Sequence, residues 1–185
     1  MDSKTKGMVM AGMVVLSLVL GLLAVLGSSW MTASEDGMEA NYGLNEGEIE
    51  MTFMGATMSD TVNWSDSCEV AEENDGDDES CDMATAGTIG TIGLWVGIVM
   101  AGLFAAMIIL PMAGIDAMDG MPDIAQKLVS WGAGGMMLLG TIGWMIMAPE
   151  MPDEIGYGMS FFMAIIAGVL GLAAPAMDMF VEADE

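Results

Sequence analysis

Met8–Trp30 reads MVMAGMVVLSLVLGLLAVLGSSW, 23 residues without a charged side chain. As a helix rising 1.5 Å per residue, such a run extends about 34 Å, enough to cross the apolar core of a bilayer. A signal peptide is the competing reading. Its apolar region would be shorter, and no small-residue cleavage motif follows Leu26, so a retained span is expected.

Working outward, three more stretches lack Asp, Glu, Lys and Arg: residues 85–110, 128–148 and 155–177. Each is near the roughly 20 residues a span requires. With 8–30 as the first span, the chain divides into an N-terminal segment 1–7, a long connection 31–84, a loop 111–127, a short loop 149–154 and an acidic tail 178–185. Pro111, Pro122, Pro149 and Pro152 fall at span ends or in loops, where a missing N–H costs little, and only Pro175 falls inside a span. The expected fold is an all-α integral membrane protein: a four-helix bundle carrying a small antiparallel sheet in its first outer loop.

Orientation follows from three lysines, since basic residues near span ends stay in the cytoplasm. Lys4 and Lys6 precede the first span, and Lys127 lies between the second and third. Two intervening spans return the chain to the same side. Both termini are therefore expected in the cytoplasm of a multi-pass plasma-membrane protein. Trp30, Trp144 and Tyr157 then fall at outer span ends and Trp131 near an inner one, where aromatic residues favour the interface. Trp95 falls deeper, where packing between helices is expected.

Composition removes several functions. The chain is 54% hydrophobic, with three Lys+Arg against 27 Asp+Glu for a net charge of -24, and its mean hydropathy is +0.57. Nucleic acid would be repelled. With no histidine, the commonest metal ligand and general base is missing. Two cysteines are too few for a thiolate cluster. Neither a catalytic group nor a cofactor is expected, and the chain is read as a non-enzyme.

Residues 31–84 hold 16 acids and both cysteines. The lysine argument, which used neither cysteine, places this segment outside, where disulfides persist, so Cys68 is expected bonded to Cys81. Such a bond would lower the entropy of the unfolded chain by about 3 kcal/mol equivalent. Glu48-Ile49-Glu50-Met51-Thr52-Phe53 alternates with period two, which predicts a strand with Ile49, Met51 and Phe53 on one face. Asn41–Leu44 and Thr61–Trp64 are its expected neighbours.

Four spans, a large first outer loop with strand pattern, Trp64 shortly before Cys68, and a second cysteine at Cys81 together resemble the claudin and peripheral-myelin-protein superfamily. The resemblance implies that Trp64, Cys68 and Cys81 are structural residues of the sheet. Asn63 stands where the family has the leucine of a Gly-Leu-Trp triplet, and the second outer loop is short. These departures separate the chain from the family's barrier role and leave the architecture.

Other features compete with plainer explanations. Asp75, Asp77, Asp78, Glu79 and Asp82 offer oxygen ligands for a divalent cation such as Ca²⁺. Acid on both faces, -19 outside and -5 inside on this topology, favours adaptation of the whole protein to a salt-rich habitat over one dedicated site. Among 24 methionines, Met51, Met54 and Met58 with Met145, Met147 and Met151 form a cluster of soft thioethers suited to Cu(I). Adaptable apolar filling is the expected use. Gly93, Gly97, Ala101 and Ala105 form a small-residue stripe that lets another helix approach, within the bundle before any partner. Asn63-Trp64-Ser65 is a glycosylation sequon.

These features together predict a structural, accessory or assembly component of the bilayer, acting through its outer loop and glycine-rich helices on a membrane-protein partner or further copies of itself. A cation channel or transporter subunit with an acidic outer vestibule is the alternative. Its charge-free spans count against it.

Overall fold

Four long helices and five short strands account for most of the chain in the computed structural model, which describes residues 2–35, 38–53, 56–73, 79–115, 120–150 and 155–180. In chain order these are α1 (Ser3–Leu26), β1 (Met31–Glu35), β2 (Met38–Tyr42), β3 (Glu46–Phe53), β4 (Ala56–Asn63), α2 (Trp64–Glu73), α3 (Glu79–Met112), α4 (Asp123–Met147), β5 (Ile155–Tyr157) and α5 (Met159–Phe180). Helices α1, α3, α4 and α5 are each long and apolar enough to cross a membrane. The chain divides into two compact units, and each long helix contributes to both.

The helical unit comprises Met1–Leu22, Gly93–Leu139 and Ala164–Glu185. Small residues set its close contacts. A Cβ built on Gly134 of α4 would collide with the backbone of Gly168, Gly171 and Leu172 on α5, so a side chain there has no room. The Ser17 hydroxyl of α1 donates to the Ala167 carbonyl of α5 at 2.6 Å, which satisfies a fully buried hydroxyl. Met137 of α4 is fully buried. Its flexible thioether lies against the positions of Gly21 and Gly97 on α1 and α3. Leu16, Val99, Leu139 and Val169 are about half exposed, so these helices present apolar side chains outward as well as inward.

Helix ends in this unit follow local chemistry. Helix α3 stops in a Schellman motif: Gly114 takes φ +75°, its N–H donates to the Pro111 carbonyl, and the Ile115 N–H donates to the Leu110 carbonyl, each at 3.0 Å. Lys6 Nζ pairs with the Asp178 carboxylate at 3.0 Å and donates to the Asp178 backbone carbonyl at 3.2 Å. A cation at the last turn of α5 complements the negative end of its dipole.

The sheet unit comprises Leu23–Ile92 and Gly140–Met163. Its strands are all antiparallel, in the order β4-β3-β2-β1-β5. The predicted strand lies within β3, between β2 and β4, which take in Asn41–Tyr42 and Thr61–Asn63 of its two predicted neighbours, whereas Gly43 and Leu44 lie in the turn between β2 and β3. Four further features differ from the sequence reading. Trp64 does not extend β4 but opens α2, because the Asn63 side-chain oxygen accepts from the Ser65 N–H at 3.0 Å and the Asp66 N–H at 3.4 Å and so caps a helix. The helix expected from residue 85 begins at Glu79, with Glu79 and Asp82 in its first turn, where acids favour the helix dipole. Residues 155–157, assigned to the fourth span, form β5 against β1. Gly156 and Gly158 each weaken a helix by about 1 kcal/mol relative to alanine, and the ladder takes the chain instead. Residues 27–30 lie beyond α1, with the Trp30 N–H donating to the Tyr42 carbonyl at 2.9 Å.

The core of this unit is aromatic. Trp30 and Trp144 are fully buried and meet edge to face with ring centroids 4.9 Å apart, and Phe161 packs against both. Interfacial placement was expected of both tryptophans, whereas burial in this cluster is observed. Trp95, expected between helices, is instead 43% exposed.

Candidate functional site: the sheet surface

Alternation along β3 determines what each side of the sheet carries, because opposed residues share a face. One face is polar throughout the paired region. Its rows are Thr32, Asn41, Glu48, Thr61 and Ser34, Glu39, Glu50, Ser59, followed by Thr52 opposite Thr57. Glu39 and Glu50 stand directly opposite each other, an arrangement that opposes pairing through like charge. The Thr52 and Thr57 hydroxyls lie 3.4 Å apart.

The reverse face is mostly apolar and graded, with Glu35 and Asp60 as its charged residues. At one end the row Met31, Tyr42, Gly47, Val62 begins with a buried Met31. There Trp64 of α2 stacks on Tyr42 with ring centroids 6.0 Å apart, and its indole N–H donates to the Gly43 carbonyl at 3.2 Å. A Cβ on Gly47 would meet the Trp64 ring at 2.6 Å, so this indole clamps the β2–β3 hairpin. Two strand positions away the row is Ala33, Ala40, Ile49, Asp60, and four positions away it becomes Glu35, Met38, Met51, Met58, whose methionines are exposed.

The disulfide Cys68–Cys81 joins α2 to the first turns of α3 with Cα atoms 4.6 Å apart. Glu72 lies beside this pair, within 4.8 Å of both sulfurs, but sulfurs bonded to each other offer no thiolate to a metal. Of the cation candidates, Asp75, Asp77 and Asp78 lie outside the described residues, and Glu79 and Asp82 are exposed on the first turn of α3. The stripe Gly93, Gly97, Ala101 and Ala105 is buried within the helical unit.

Of the methionine cluster read from the sequence, Met51 and Met58 are direct cross-strand partners. Met54 and Met151 lie outside the described residues, and Met145 and Met147 are on α4. Met38 was missed. The Gly43-Leu44-Asn45 turn between two strands would have set its register opposite Met51.

The sheet has two unequal edges. Strand β5 has three residues, whereas β4 has eight and, among the described residues, is ladder-bonded on one side only, to β3. All of β4 except Val62 is exposed. It contains no proline and no lysine, and Asp60 is its one charged residue, so most of the devices that blunt a free edge are missing. A cavity of about 520 Å³ lies elsewhere in this unit, lined by Met31, Trp144, Met145, Ile155 and Tyr157 among others.

No family model and no curated protein matches this chain.

Proposed function

We propose that the chain is a non-enzymatic, four-span plasma-membrane protein that assembles laterally with further copies of itself through the free edge of its outer sheet. Helices that are apolar on every side support the bilayer part of this reading. Lys6 and Lys127 support the orientation, with both termini cytoplasmic and the sheet outside. The claudin-like layout belongs to the same proposal.

The β4 edge is the observation that carries assembly. A free strand edge presents a row of N–H and C=O groups to any chain that can add to it. Residues Ala56-Thr57-Met58-Ser59-Asp60-Thr61-Val62 are also nearly symmetric in type about Ser59. Antiparallel pairing of two copies about that residue sets Thr57 against Thr61, Ser59 against Ser59 and Asp60 against Met58. Hydroxyls then meet hydroxyls, and the two Asp60 carboxylates avoid direct opposition. Strand β3, with three glutamates, would not satisfy that condition.

Among the described residues no free cysteine exists, so one introduced thiol reports on one position. Ser59→Cys, oxidised in native membranes, is expected to give a disulfide-linked dimer, while Ala56→Cys alone gives none. A Ser59→Cys protein that stays monomeric under oxidation, at native membrane density, would refute edge-to-edge assembly.

A further inference from the structure

The register that builds the sheet also sets three thioethers side by side. Met38, Met51 and Met58 are directly opposed on β2, β3 and β4, and they are 44%, 47% and 72% exposed. With strands about 4.8 Å apart, the Cα atoms of Met38 and Met58 lie about 10 Å from each other with Met51 midway. Each side chain is unbranched and flexible, so three sulfurs can converge over the central residue. We propose that this row is a binding site for a soft monovalent cation, Cu(I) or its redox-inert counterpart Ag(I), held by the Met38, Met51 and Met58 thioethers.

The donor set selects the ion. Thioethers are soft, neutral ligands that favour Cu(I), whereas Ca²⁺ and Mg²⁺ require oxygen and structural Zn²⁺ takes thiolate or imidazole. The chain has no histidine, and its two cysteines are consumed in a disulfide. Thioethers do not form disulfides, so they stay available where thiols are oxidised. Glu35 ends the row, and Asp60, two residues along β4 from Met58 on the same face, is the other hard donor beside it. The net charge of -24, with Glu39, Glu48 and Glu50 on the polar face of the same strands, raises the local concentration of any cation. None of the β-branched or aromatic residues that strands favour occupies the row, so sulfur rather than strand preference characterises it.

The test uses the full chain purified in mild detergent, loaded with Ag(I) in chloride-free buffer, desalted and assayed for retained silver. Other methionines contribute a background, so the readout is a difference. Met51→Leu keeps size and apolarity but removes the sulfur, and it is expected to retain one silver fewer than the wild type. Met38→Leu and Met58→Leu should do the same, and Met159→Leu, an exposed methionine on α5, should match the wild type. Competition against a Cu(I) chelator should show at least a tenfold affinity loss for Met51→Leu, with unchanged circular dichroism. X-ray absorption of the Cu(I)-loaded protein should show a sulfur first shell. Equal silver in wild type and Met51→Leu, equal losses in Met51→Leu and Met159→Leu, or a first shell of nitrogen and oxygen would each overturn the site.

Discussion

Trp30 and Trp144 share one buried contact but not one hydrogen-bonding state. The Trp30 indole N–H donates to the Ala24 carbonyl at 2.9 Å, whereas the Trp144 indole N–H is buried without an acceptor among the described residues. Ala24 is in the last turn of α1, where carbonyls have no partner within the helix, so Trp30 caps that end. Replacing each by phenylalanine should therefore give unequal results. Trp30→Phe leaves the carbonyl unpaired and should cost about 1–3 kcal/mol more than Trp144→Phe, read as thermal or denaturant unfolding in detergent. Equal losses would show that the hydrogen bond contributes little beside the packing.

Adjacent glycines on α4 make a second pair. Gly134 faces the α5 backbone, while a Cβ on Gly135 meets nothing within 4 Å. Gly134→Ala should destabilise by about 1–3 kcal/mol through forced separation of the helices. Gly135→Ala should be neutral or stabilising by up to about 1 kcal/mol, because alanine favours helix. Heat-induced aggregation of the two purified variants distinguishes them.

Asn63 caps α2 through its side-chain oxygen. Asn63→Ala should lose about 1 kcal/mol, and Asn63→Asp should keep most of it. Because the same residue begins the sequon, loss of stability in unglycosylated protein isolates the cap from any glycan.

Glu39 and Glu50 repel across the β2–β3 pair. Glu50→Gln should raise the melting temperature at low ionic strength, and the gain should shrink in about 1 M salt, where the Debye length falls to about 3 Å. An increment independent of salt would point to a contact other than charge.

Much of this architecture was readable in linear order. Uncharged runs predicted the long helices because a helix's own backbone bonding needs no partner segment, and apolar length suffices to identify it. Period two predicted β3, since alternation is local. Residues 155–157 were misread because two glycines inside an apolar run leave span and strand undecided until β1 is there to pair with them. Trp95 was misread for a related reason: hydropathy assigns depth along a helix but not which side of the helix faces its neighbours.

The sequence by itself determined four apolar helices, a strand-rich acidic segment and the pairing of the two available cysteines, because each rests on composition, spacing or count. Tertiary structure alone decided which residues meet. It set Trp30 against Trp144, Gly134 against Gly171, and Met38 beside Met51 and Met58. Those meetings depend on strand register and helix rotation, and a one-residue slip in the register would move the methionine row to the opposite face.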